Sequence, residues 1–77
     1  MELKAGMLAR SKAGRDKDCI YVIISVKDEY VYLSDGALKP LCQLKKKNRK
    51  HIQPIIHKGS ISELNDEAVR NIIRTVE

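Results

Sequence analysis

The run Cys19-Ile20-Tyr21-Val22-Ile23-Ile24-Ser25-Val26 is built almost entirely of β-branched and aromatic side chains, and after Asp28-Glu29 the same chemistry resumes in Tyr30-Val31-Tyr32-Leu33. Branching at Cβ favours extended backbone and packs well on a pleated surface, while the acids between the runs suit a reversing turn. The pair reads as a β-hairpin. Around it, Gly6 opens a short apolar alternation, Met7-Leu8-Ala9-Arg10-Ser11, which the charged loop Lys12–Asp18 ends. Asp35-Gly36 forms a further turn, and Leu41-Cys42-Gln43-Leu44 alternates apolar with smaller or polar positions. His51-Ile52-Gln53 makes a last short strand, ended by Pro54, which cannot donate to a central ladder. About five short strands joined by tight turns close into a small barrel more readily than they lie open, since closure removes exposed edges.

The hydrophobic period then changes. From Leu64, apolar residues recur at Ala68, Val69, Ile72, Ile73 and Val76, one face of a helix. Ser60 with Glu63 fits a capping box, Asn65 or Ser62 serves equally as the cap, and Asp66 and Glu67 suit the positive end of the helix dipole. The expected architecture is therefore mainly β: a barrel over residues 1–58 with a C-terminal amphipathic helix, residues 59–77, packed on the same single domain. The alternative for the stripe is a docking surface carried by Ile72 and Ile73.

Charge is distributed unevenly. The net charge of the 77 residues is +5, yet residues 1–58 hold thirteen Lys or Arg against six acids, and residues 59–77 hold two against four. Between Lys39 and Lys58 there are seven cations and no acid. Like charges so closely spaced repel one another unless an anion meets them, and each cation that meets a phosphate releases condensed counterions. The basic run, read as an exposed loop, is expected to contact RNA phosphates through Lys45, Lys46, Lys47, Arg49 and Lys50, with Lys39 and His51 at its ends and Asn48 able to reach sugar or base. Lys12, Gly14, Arg15 and Lys17 in the first polar loop are the second expected contact, where glycine lets backbone approach a phosphate. Replacing three of the run's lysines by glutamine is expected to weaken binding with little loss of stability.

Residues Ala5-Gly6-Met7-Leu8-Ala9-Arg10-Ser11-Lys12-Ala13-Gly14-Arg15, followed by Cys19-Ile20-Tyr21-Val22-Ile23, resemble the KOW motif of ribosomal proteins and transcription elongation factors. Tyr30-Val31-Tyr32-Leu33-Ser34-Asp35-Gly36 and then Leu44–Pro54 are similar to the archaeal and eukaryotic large-subunit ribosomal proteins of the "L fourteen e" type. The resemblance covers roughly residues 3 to 56 and implies an SH3-like barrel that binds ribosomal RNA. The chain departs from that pattern in its first loop, which lacks a second glycine: either Gly14 fills the key position or Asp18 adopts a turn conformation usually given to glycine. An amphipathic helix also replaces the long basic tail of some members.

Other chemistry is poorly supported. Cys19, Cys42, His51 and His57 lack metal-ligand spacing, and Cys19, in an apolar strand, is expected in the core. Nothing brings a nucleophile, a base and an orienting group together, so no enzyme and no cofactor is expected. Of the three tyrosines, Tyr30 and Tyr32 share a strand face; packing is their expected role and base stacking the alternative. No apolar run reaches the roughly 20 residues of a membrane span. The expected protein is a monomeric, cytoplasmic RNA-binding module associated with ribosomes. A protein-interaction adaptor in transcription or translation is the other reading.

Overall fold

The computed structural model describes residues 3–55 and 65–76. Five strands, β1 (Leu8–Ser11), β2 (Ile20–Lys27), β3 (Tyr30–Ser34), β4 (Lys45–Asn48) and β5 (Ile52–Ile55), form one antiparallel sheet ordered β4-β3-β2-β1-β5, and one helix, α1 (Asp66–Arg74), follows. A single 3-10 turn, Arg49–His51, links β4 to β5, the two edge strands. Such a short link between opposite edges requires the sheet to curl, giving the small SH3-like barrel the sequence predicts. Lys12 N donates to His51 O (2.8 Å), tying the end of β1 to the turn. A bulge in β2 adds to the curl: Ile23 faces Leu33 and Ser25 faces Tyr32, so Ile24 is unmatched.

The sheet is covered on two sides. Ala9, Tyr21, Ile23, Val31, Leu33 and Ile52 fill the concave interior. Leu8 and Val22, pointing the other way, meet Val69 and Ile73 of α1. Strands β1 and β2 are thus buried on both faces, which explains why Ile20–Ile24 is continuously apolar instead of alternating. Strand β3 alternates from Tyr30 to Leu33, where α1 does not cover its outer face: Tyr30 is exposed and Tyr32 half-buried, while Val31 and Leu33 are buried. Burying Val69 and Ile73 contributes roughly 3–6 kcal/mol of gross hydrophobic stabilisation to helix docking.

Several expectations change here. The fourth strand is Lys45–Asn48 and not Leu41–Leu44, so most of the basic run is an edge strand. Its backbone pairs with β3, placing Lys46 opposite Tyr32 and Asn48 opposite Tyr30. Pro54 lies inside β5, opposite Ala9, where an edge position spares it the missing N–H. Cys19 is exposed, not core, because it precedes β2 at the loop's end. The helix begins at Asp66 with Asn65 as its cap, the Asn65 side chain accepting from Ala68 N (2.8 Å); Ser60, Ser62, Glu63 and Leu64 lie outside the described residues. Ile73 is buried beneath the helix and Ile72 packs at the edge of the same cluster, so both residues of the stripe pack against the chain's own sheet.

Candidate nucleic-acid interface

The period of two along β4 divides its lysines. Lys45 and Lys47 face the same side as Leu33 and Val31, their partners on β3, and so point toward the barrel interior; Lys46 points outward. The two inward ammonium groups converge on Asp16, which the loop between β1 and β2 brings over the strand. Lys47 Nζ donates to Asp16 Oδ1 (2.8 Å) and to the Ala13 carbonyl (2.9 Å), and Lys45 Nζ lies 3.5 Å from Asp16 Oδ2. Tyr21, whose ring belongs to the core, donates its hydroxyl to Asp16 Oδ2 (3.0 Å), and Ser11 donates to Oδ1 (3.0 Å). The side chains of Asp16 and Lys47 are each only 12% exposed.

Burial alone would raise the Asp16 carboxyl, but the hydrogen bonds from Lys47, Tyr21 and Ser11, with the charge of Lys45, outweigh it and hold the group well below the usual carboxylate range. Burial and the hydrogen bond to that carboxylate push the Tyr21 phenol above its ordinary value. The loop reaches this position through two left-handed residues, Gly14 (φ 88) and Asp18 (φ 73), so both readings of the glycine position apply together. Asp18 N donates to Ser11 O and Cys19 N to Asp16 O, closing the loop.

On the outer face the geometry is open. Lys46 Nζ sits 4.2 Å from the centroid of the Tyr30 ring, an exposed cation–π contact worth about 0.5–1 kcal/mol. Across β3 from β4, Lys27 pairs with Tyr30 and Ser25 with Tyr32. Arg49 and Lys50 project from the 3-10 turn, which Asn48 caps by accepting from Lys50 N (3.0 Å). Lys12, Arg15 and Lys17 are exposed on the β1–β2 loop, and His51 is half-buried where its carbonyl receives Lys12.

Two basic segments distant in sequence therefore adjoin: the loop carrying Lys12, Gly14, Arg15 and Lys17, and the stretch Lys45–His51. Lys39 stands apart. It is exposed on the loop between β3 and β4, whose backbone is pinned by Ser34 and Asp35. Among the described residues, no ion pair holds Lys12, Arg15, Lys17, Lys46, Arg49 or Lys50. A glutamine at Lys47 would take from Asp16 its closest cation, so that replacement perturbs stability as well as charge. Sequence reasoning missed Asp16 as an anchor, since its lysine partners lie about thirty residues away and nothing local signals that it receives them. It also missed Lys27, although its place immediately before the Asp28-Glu29 turn makes it the partner of Tyr30 in a tight hairpin.

Elsewhere, a cleft of about 480 Å³ opens between α1 and the start of β2, lined by Ile20 and Ile73 together with Asp18, Asp35, Arg70 and Arg74. Its charges balance. Among the described residues no three His, Cys, Asp or Glu side chains gather as a metal site, and no helix is long and apolar enough to cross a membrane. Compared with protein-family models and with curated proteins, the chain matches none.

Proposed function

We propose that this protein is a non-catalytic RNA-binding module that works on the ribosome, engaging structured large-subunit RNA through phosphate contacts. The observation that carries the reading is the junction of two basic segments at the Lys12–His51 hydrogen bond, where exposed cations from both segments lie on adjoining surface and, among the described residues, make no ion pair. Of the two acids in that region, Asp16 is occupied internally by Lys45 and Lys47, and the exposed Asp18 makes no ion pair among the described residues, so the cations outnumber the free carboxylates. Lys46, Arg49, Lys50, Lys12, Arg15 and Lys17 are the phosphate-contacting residues, with shape and not base sequence selecting the structured site. The resemblance to KOW-containing ribosomal proteins supports the same class of ligand.

A salt titration of binding to a large-subunit ribosomal RNA fragment tests this. Log affinity should fall with log salt by about 0.7–0.9 for each phosphate engaged. Changing Lys46, Arg49 and Lys50 together to glutamine should lower that slope by roughly 2–3 and weaken binding at low salt. A triple variant that bound as tightly as the parent, with an unchanged slope, would remove the basic surface as the binding site.

A further inference from the structure

We propose that the outer face of β2, β3 and β4 is a stacking platform for unpaired bases of single-stranded RNA, an inference that rests on the RNA-binding reading and adds a second kind of contact to it. The face is a two-by-three array fixed by strand register: Ser25 and Lys27 on β2, Tyr32 and Tyr30 on β3, Lys46 and Asn48 on β4. An aromatic pair thus runs down the middle strand with one lysine on either side, placed diagonally, and no carboxylate among the six.

Tyr30 is 39% exposed, and it and Leu38 are the large hydrophobic side chains left exposed among the described residues. Helix α1 covers β1 and β2 nearer Leu8 and Val22 and leaves Tyr30 outside its apolar cluster. Packing, the expected role of a tyrosine in a small barrel, is filled by Tyr21, whose ring is buried and whose hydroxyl is held by Asp16.

The spacing selects the form of nucleic acid. Residues two apart on a strand are separated by roughly 6.6–6.8 Å, about twice the ~3.4 Å rise per stacked nucleotide in one strand of a duplex. Bases laid on the exposed Tyr30 ring and on the half-buried Tyr32 beside it must therefore be splayed, which a single strand permits and a duplex does not. The Lys46 ammonium now over Tyr30 is a weak contact that a base can replace, and the released ammonium then has the adjoining phosphate as partner. Asp28 and Glu29 close one end of the array with negative charge, so the RNA follows β3 from Tyr32 to Tyr30 and does not continue past the turn.

The test compares a fluorescein-labelled single-stranded RNA ten-mer without self-complementarity with the duplex formed from it, binding each to the full chain by anisotropy. Tyr30→Ala should weaken single-strand binding roughly 5- to 150-fold and change duplex binding less than about twofold. Tyr30→Phe, which keeps the ring, should bind like the parent, and a circular dichroism melt should find both variants folded. The chain has no Trp and three Tyr, so RNA should also quench intrinsic tyrosine emission in the parent, and less so in Tyr30→Phe. If Tyr30→Ala bound both RNAs as the parent does, or lost both equally, stacking would be overturned while phosphate binding stood. If the parent bound neither RNA at low salt, both readings would fall together.

Discussion

The β1–β2 loop fastens itself to β4 with a carboxylate, whereas the β3–β4 loop fastens α1 with a glycine. In the first junction, Asp16 accepts from Lys47, Tyr21 and Ser11, and the geometry is set by charge and hydrogen bonds that a similar side chain can partly reproduce. In the second, Gly36 (φ 74) lies directly beneath α1, its carbonyl accepting from Arg70 Nη1 (2.5 Å), while Asp66 Oδ1 accepts from Leu41 N (2.8 Å). That junction is set by the absence of a side chain. The charged latch depends on pH and tolerates exchange; the steric one tolerates almost no side chain at Gly36. Two of the three consecutive lysines thereby serve the fold, which leaves the outward one and the 3-10 turn for a ligand.

Breaking the steric junction should have the largest effect. A Cβ at Gly36 would lie 2.4 Å from Asp66 O and 2.8 Å from Arg70 Cγ, in a backbone conformation that L-residues rarely adopt. Gly36→Ala should therefore cost about 2–4 kcal/mol, from strain at positive φ and from displacement of the helix. Thermal unfolding followed by circular dichroism measures it. A variant as stable as the parent would mean that α1 does not sit over Gly36.

The charged junction should yield next, and in a pH-dependent way. Asp16→Asn leaves Lys47 largely buried without a formal counter-charge, at a cost of about 1–3 kcal/mol near neutral pH. Because the folded carboxyl is depressed, the unfolded chain binds more protons between the two titrations, and stability there rises with pH. The parent's advantage over Asp16→Asn is then complete above the unfolded value of about 3.9 and shrinks as the pH falls from there through the folded value. Tyr21 acts with the opposite sign: its phenol is raised, so its contribution is whole below about 10 and is lost as the pH climbs through the folded value. Urea unfolding of parent and variant across the acid range decides the first claim, and a pH-independent gap would sink it.

The contrast between these junctions marks where the sequence could be read. The β2–β3 hairpin was legible because its runs and its acidic turn are local, and α1 was legible because four buried or half-buried residues repeat on one face. Strand β4 was not: Lys-Lys-Lys-Asn carries no strand signal, and it is extended because β3 offers it a ladder and Asp16 receives its inward side chains. Cys19 was misplaced for a related reason, since the β-branched run gives no sign of where the ladder starts. Of the expected interface, the grouping of Lys12–Lys17 with Arg49–His51 matches a contact the fold makes, but the inward turn of Lys45 and Lys47 needed register, and register needs the partner strand.

The smallest effects come from neighbours on β4, and they sharpen the comparison most finely. Lys47→Met keeps the length of the side chain but takes from Asp16 its closest cation, leaving Tyr21, Ser11 and Lys45 to hold the carboxylate; about 1–2 kcal/mol should be lost. Lys46→Met, one residue away, loses only an exposed ammonium above Tyr30 and should stay within about 0.5 kcal/mol of the parent. Binding should reverse the order. Lys46→Met removes an outward charge and should lower the salt slope by about 0.7–0.9, while Lys47→Met, measured where it is fully folded, should leave the slope unchanged because its ammonium was already committed to Asp16. Equal losses of stability from the two substitutions, or equal changes in slope, would mean that the pleat does not divide the run into a structural and a ligand-facing set.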